Sequence, residues 1–195
     1  MVEIQGWLDP KVATAMRALI RRTLPNVVVE IGVYAGKSLI NSALALRDNG
    51  GGIIFGIDPW RTKTAVHDMA PEENVSFWAN TDLDDVHMAC MHAIWEHGVE
   101  DQVIIVRATS RVAAQMFSFG RRDEIDVINI LYIDGGHSEK ASCLDAELYL
   151  PLVVSGGHIW IDDTDYPSLQ KALLMLRQQC TLIEDFGRTQ LYQKL

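Results

Sequence analysis

Absent from this sequence are a basic cluster, an apolar run of membrane-spanning length and a cysteine framework, and each absence removes a class of function. The 17 Lys and Arg are outnumbered by 26 Asp and Glu, for a formal net charge of -9. Nucleic acid, whose binding rests on phosphate neutralisation, is therefore not an expected partner. No stretch approaches the roughly 20 apolar residues that a bilayer crossing needs, so no membrane partner is expected. The N-terminus has no basic-then-apolar leader pattern, and the expected location is the cytoplasm. The three cysteines, Cys90, Cys143 and Cys180, are odd in number and far apart. They read as reduced, buried thiols rather than as disulfides or a zinc site. Repeats, linkers and low-complexity tracts are missing too, and the length fits one domain over 1–195.

What is present is organised around residues 27–38. Val27-Val28-Val29 begins a buried strand that ends at Glu30-Ile31, and Gly32 and Gly36 allow a tight turn before a helix opened by Ser38. Strand, glycine turn and helix N-terminus form the ligand corner of a doubly wound α/β fold. Asp9-Pro10 starts an N-terminal helix within residues 1–26, with Val12, Met16, Leu19 and Ile20 at helical spacing. Further strands are expected at 53–57, 103–106, 126–133 and 158–161. Helices are expected at 37–47, 82–97, 109–117, 138–150 and 168–179. The inward face of the 82–97 helix is assigned to Val86, Ala89, Cys90, Ala93 and Ile94. Residues 61–82 are too long for a plain connection and read as a lid or substrate loop. A closing hairpin, 181–186 and 189–193 around Gly187-Arg188, makes the last of seven strands antiparallel in a mostly parallel sheet.

Four strand ends carry acids: Glu30, Asp58, Asp134 and the pair Asp162-Asp163. Ligands of open parallel sheets bind outside those ends. The fold thus gathers onto one rim acids that each, taken singly, would serve as a helix cap. Such a rim repels pyrophosphate and favours a nucleoside cofactor without phosphates, with Asp58 placed to accept from ribose hydroxyls. Two phosphate-binding loops compete with this reading. The G-x-G-x-x-G pattern fails because only Gly32 and Gly36 are present, with Glu30 at the first glycine position. Gly36-Lys37-Ser38 copies the end of a P-loop, yet three residues rather than four separate the glycines.

Glu30-Ile-Gly32-x-Tyr34-x-Gly36-x-Ser38 resembles the first motif of class I S-adenosylmethionine-dependent methyltransferases, in particular the cation-dependent O-methyltransferases of catechol type. Tyr132-Ile-Asp134-Gly-Gly-His137-Ser, with Asp162-Asp163 after Gly156-Gly157, is similar to the macrocin and cephalosporin-tailoring O-methyltransferases. The resemblance runs from Val27 to the C-terminus, the 61–82 loop excepted, and implies a single-domain Rossmann-like fold. It also implies O-methyl transfer to a small-molecule hydroxyl. By position, Gly32 and Gly36 clear space for the cofactor's methionine part, Tyr34 packs beside it and Ser38 contacts its carboxylate. Asp58 holds the ribose, Trp60 lies near the adenine, and Ala108, Thr109 and Ser110 surround that ring. Glu30 and Asp134 complete the cofactor-facing set. Asp134, Asp162 and Asp163 match the oxygen ligands of a divalent metal, where the catechol type has asparagine at the third position. Hard oxygen ligands of this kind suit Mg²⁺. His137 falls where the catechol type carries a lysine base, and a histidine titrates near neutral pH. Lys37 replaces an aromatic residue of that motif. The remaining histidines, His67, His87, His92, His97 and His158, carry weaker expectations, and Met69 and Trp78 are candidate acceptor contacts. A homodimer fits the resemblance. A nucleotide-binding enzyme and a catalytically silent cofactor-binding protein are the alternatives.

Overall fold

The computed structural model describes residues 4–66, 72–118 and 127–195. Asp9 caps the first helix, Pro10–Thr23 (α1), accepting the Lys11 N–H at 2.7 Å, while Pro10 occupies a position that needs no donor. There follow β1 (Val27–Ile31), α2 (Lys37–Asp48) and β2 (Ile53–Ile57), then α3 (Thr62–Ala65), α4 (Glu72–Asn80) and α5 (Leu83–Glu96). Next come β3 (Val103–Val106), α6 (Ser110–Ser118), β4 (Ile128–Ile133), α7 (Glu139–Tyr149) and β5 (Val153–Ile161). The chain closes with α8 (Gln170–Gln179), β6 (Cys180–Asp185) and β7 (Gln190–Lys194).

The seven strands form one sheet in the order β3-β2-β1-β4-β5-β7-β6, parallel except that β7 runs against both β5 and β6. From β1 the chain moves outward on one side to β2 and β3, then returns to β4 on the other side. The β1/β4 crevice is therefore the switch point at which an open α/β sheet binds ligands. Two apolar layers cover the sheet. One gathers α1, α2 and α5 around Leu39, Leu46, Ile54 and Cys90; the other gathers α6, α7 and α8 around Val29, Leu131, Tyr149 and Leu173. Leu39 is fully buried, and Gly56 lets it approach, since a Cβ there would lie 2.8 Å from Leu39 Cδ1. Leu39→Ala is expected to cost about 2–5 kcal/mol, read as a lower denaturation midpoint at unchanged slope.

Several element boundaries differ from the sequence pattern. β5 begins at Val153 and runs through Gly156-Gly157, which a pattern reading treats as a break. A register shift against β4 between Ile128 and Ile130 accommodates the extra residues. Ala89 is exposed rather than inward, leaving Leu83, Val86, Cys90, Ala93 and Ile94 as the buried face of α5. α2 starts at Lys37 with Gly36 as its cap, so Ser38 lies inside the helix. The 61–82 loop holds α3 and α4. Asp126, expected at the start of a strand, lies outside the described residues.

Candidate active site

The glycine turn is pressed against the end of β4. Gly32 has φ +86°, and a Cβ there would sit 1.9 Å from the Asp134 carbonyl oxygen. Gly36 has φ +90° and would meet Cys90 Sγ at 2.9 Å. Asp58 holds this loop from the end of β2. One carboxylate oxygen accepts the N–H groups of Val33 (3.0 Å) and Tyr34 (3.1 Å), and the other accepts that of Trp60 (2.8 Å). Burial pushes the Asp58 carboxyl up, and these three donors offset part of that rise. Trp60, at φ +43°, is buried, and its indole N–H donates to the Tyr34 carbonyl at 2.9 Å. It braces the loop from below. Lys37 donates to the Gly6 carbonyl at 3.0 Å, tying the N-terminal segment to α2. A P-loop lysine would turn toward the loop.

Glu30 is fully buried. Its Oε1 accepts the Ser38 hydroxyl at 2.7 Å, whereas Oε2 has no partner among the described residues. Burial pushes its carboxyl up to about 8, against the Ser38 hydrogen bond. The folded chain thus keeps a proton that the unfolded chain releases near 4.5. The stability this contributes is complete below that pH and is lost as pH rises toward 8. Glu30→Gln is expected to flatten the fall in Tm across that window, measured by thermal unfolding of both proteins at successive pH values.

Ala108, Thr109 and Ser110 form the turn after β3. Thr109 Oγ1 accepts the Val112 N–H at 3.4 Å, and the Ser110 carbonyl accepts the Tyr149 hydroxyl at 2.8 Å. Beneath them Asp145 on α7 is buried, hydrogen-bonded to Ser110, with its carboxyl pushed up to about 6 by burial. A cleft of about 820 Å³ opens at the ends of β2 and β3, lined by Trp60, Arg61, Asn80, Asp82 and Arg107 among others.

Across the β1/β4 crevice lie Asp134, His137, Asp162 and Asp163. Ligand atoms of Asp134, His137 and Asp163 fall within 4.8 Å of one another. Asp163, at φ +54°, shares one oxygen with His137 Nε2 at 2.8 Å and the other with the Arg188 guanidinium. Burial alone would raise the Asp163 carboxyl, but His137 and Arg188 together hold it below the usual range. Asp162 stands to one side, its oxygens taking the hydroxyls of Thr189 (2.5 Å) and Tyr132 (3.1 Å). Burial raises Asp162, and it raises Asp134 well above the ordinary value, helped there by the charges of Asp162, Asp163 and Glu30. His137 packs edge-on against Tyr166 with ring centroids 5.3 Å apart. Its Nδ1 is buried without a partner among the described residues, and its carbonyl accepts the Ser168 hydroxyl at 2.5 Å. Hard carboxylate oxygens beside one imidazole form a donor set that fits a divalent cation.

Arg188 and Thr189 contribute to the rim although no motif marks them, and Tyr132, quoted in a motif but given no role there, contributes its hydroxyl. The first two come from the turn between β6 and β7, which also binds Thr164: the Arg188 carbonyl accepts the Thr164 N–H at 2.8 Å. Only the tertiary return of that hairpin brings them to Asp162 and Asp163. Among the other histidines, His87 packs on Trp60 (4.6 Å), His92 and His97 lie toward the far end of α5, and His158 is buried in β5. Trp78 joins a ring cluster with Tyr34, Phe77 and Trp7, in which Trp7 is 5.4 Å from Tyr34 and 5.5 Å from Phe77. His67 and Met69 lie outside the described residues.

The family model described as a methyltransferase domain matches residues 29–164, from β1 to just beyond Asp163. Among solved structures, the O-methyltransferase TomG from Streptomyces achromogenes, involved in tomaymycin synthesis and in complex with SAM, aligns with a TM-score of 0.68 at 16% identity. That alignment covers 96% of this chain and 81% of that one. An O-methyltransferase from Bacillus cereus in complex with SAH gives 0.67 at 14% identity, covering 98% and 84%. SAH-bound methyltransferase PaMTH1 from Podospora anserina gives 0.67 at 14%, covering 97% and 80%. At these identities the likeness is one of fold.

Proposed function

From the premise that this chain belongs to the methyltransferase-domain family, we propose that it is an S-adenosylmethionine-dependent O-methyltransferase acting on a hydroxyl of a small molecule, assisted by a divalent cation. The observation that carries this reading is the division of the rim. Glu30, Asp58 and the glycine turn stand on one side of the crevice; Asp134, His137 and Asp163 stand on the other.

On the first side the residues suit a cofactor with one ammonium, one carboxylate and ribose hydroxyls. The unpartnered Glu30 Oε2 becomes an acceptor matched to an ammonium once the carboxyl gives up its proton, and Ser38 fixes the orientation of that carboxyl. The open backbone at Gly32 and Gly36 leaves room for the methionine part, and the N-terminus of α2 favours its carboxylate. Asp58 spends three of its roughly four lone-pair sites on loop N–H groups, which leaves one on Oδ1 for a ribose hydroxyl. S-adenosylmethionine supplies the electrophilic methyl group, and a divalent cation held by Asp134 and Asp163, with Asp162 beside them rather than within the converging set, would supply Lewis acidity toward the acceptor hydroxyl.

On the second side, His137 accepts the hydroxyl proton. Nε2 is the nitrogen able to take it, since Nδ1 is buried, and the Nε2–H so formed is held by Asp163. The Arg188 guanidinium keeps Asp163 ionised, so the pair stabilises the imidazolium as it forms. Tyr132 and Thr189 hold Asp162 in place through their hydroxyls. The test is transfer from methyl-labelled S-adenosylmethionine to a panel of catechol, phenol and sugar acceptors, with and without chelator. Label transfer that a chelator suppresses is the expected result. Transfer indifferent to chelator removes the metal, and no transfer to any hydroxyl removes the O-methyl assignment.

A further inference from the structure

Asp163 brings a third carboxyl to a rim that already carries Asp134 and Asp162. Carboxyls this close repel one another unless a cation stands among them. The chain supplies one of its own. The Arg188 guanidinium contacts Asp163 Oδ1, while His137 Nε2 lies 2.8 Å from Oδ2. Arg188 also reaches Asp165, Nε to Oδ1 at 3.4 Å, and lies over the Tyr166 ring, 5.6 Å from its centroid. That ring is the one that packs on His137.

The backbone and the side chain of Arg188 are held differently. Its carbonyl accepts both the N–H (2.8 Å) and the hydroxyl (3.0 Å) of Thr164, which pins the hairpin turn beside the acids. Its side chain is 59% exposed, against 12% for that of Asp163. Side-chain rotation alone therefore takes the guanidinium from Asp163 into water, with Asp165 and the Tyr166 face still in reach. Asp163, buried on a left-handed backbone, stays in place.

A divalent ion at Asp163 meets this arrangement directly. His137 takes Oδ2, so Oδ1 is the oxygen left to face the ion, and Oδ1 is the one that Arg188 holds. A guanidinium and a divalent ion on one oxygen repel at short range. The two cations are alternatives.

On the metal-assisted reading given above, we propose that Arg188 is an internal counter-cation for which the divalent ion is exchanged at Asp163 Oδ1. With Arg188 on Asp163, the carboxyl is neutralised and the rim resists a second cation. With Arg188 swung aside, Oδ1 becomes available beside Asp134, and Oδ2 keeps His137. Apparent metal affinity falls in proportion to the time that Arg188 spends on Asp163. A side chain released about one tenth of the time weakens the ion about tenfold.

Mn²⁺ binding to the full chain, read from the electron paramagnetic resonance of the free ion, tests the exchange. Arg188→Gln is expected to bind Mn²⁺ about tenfold more tightly than the wild type, and Arg188→Lys to stay near the wild type. Lys171→Gln removes an exposed cation paired with Glu139, two residues beyond His137, and is expected to leave the affinity unchanged. In the wild type, the ¹⁵Nε–H resonance of Arg188, identified by its loss in Arg188→Gln, is expected to move as Mg²⁺ is added. Measurable but equal Mn²⁺ affinities in the wild type and Arg188→Gln overturn the proposal and leave the metal standing. An equal gain in Lys171→Gln, or an Arg188 resonance that Mg²⁺ leaves in place, overturns it too. Mn²⁺ binding by neither protein removes the proposal and the metal together, while titration with S-adenosylhomocysteine decides the cofactor separately.

Discussion

Gly32→Ala is expected to abolish cofactor binding, raising the Kd for S-adenosylhomocysteine more than 100-fold, which is about 3 kcal/mol. The added Cβ would lie 1.9 Å from the Asp134 carbonyl oxygen and 2.5 Å from its carbon. Both are backbone atoms at the end of a central strand, so no rotamer change relieves the clash. The φ of +86° adds the strain of a left-handed backbone, of order 1–2 kcal/mol for a residue with a Cβ. The loop and the end of β4 must therefore separate. That separation draws the Val33 and Tyr34 N–H groups off Asp58 and shifts Asp134, damaging both halves of the site through one methyl group. Gly50→Ala is the control. Its φ of +83° carries the same strain, but a Cβ there meets nothing within 4 Å. It is expected to lose about 1 kcal/mol of stability and no affinity. Calorimetric titration and thermal unfolding of the two variants check both statements.

The second large effect is expected at Asp134. Asp134→Asn keeps the size of the side chain and removes the acid that stands between Glu30 and Asp163 on the rim. Transfer to the best hydroxyl acceptor is expected to fall by about 10²–10⁴, with the affinity for S-adenosylhomocysteine changed only a few-fold. The asymmetry follows from placement: Asp134 shares ligand geometry with His137 and Asp163, whereas the cofactor's ammonium, carboxylate and ribose groups are matched by Glu30, α2 and Asp58. Removing a rim charge also relieves repulsion among the buried carboxyls, so the variant is expected to unfold no earlier than the wild type. A loss of cofactor affinity equal to the loss of rate would place Asp134 in the binding half instead.

The sheet was legible because the strands are runs of Val and Ile bounded by glycine, proline or acid, and because helices alternate with them. The acids at the ends of β1, β2, β4 and β5 were legible for the same reason: a parallel topology brings strand ends to one rim whatever their sequence separation. What the pattern hides is how each acid is used. Asp58 looks like a ribose acceptor, yet its carboxylate also organises the glycine turn. Trp60 is expected near the adenine, and the pattern does not show that its left-handed backbone also turns its ring into the core. Arg188 sits in a turn whose composition signals only a hairpin; its contact with Asp163 depends on β7 returning beside β5. The β5 boundary was obscured because Gly156-Gly157 mimics a break, and a register shift has no signature in one sequence. The role of α4 within the 61–82 loop was equally hidden, since its ring contacts with Trp7 and Tyr34 join segments far apart in the chain.

The central claim is that the β1/β4 crevice holds S-adenosylmethionine through the Glu30-to-Ser38 loop and Asp58. Isothermal titration of the wild-type chain with S-adenosylhomocysteine tests it most directly, with NAD and ATP as comparators. One site per chain, filled by S-adenosylhomocysteine and not by either phosphate-bearing nucleotide, is the predicted result. Binding of NAD or ATP in its place, or no heat from S-adenosylhomocysteine, would contradict the account.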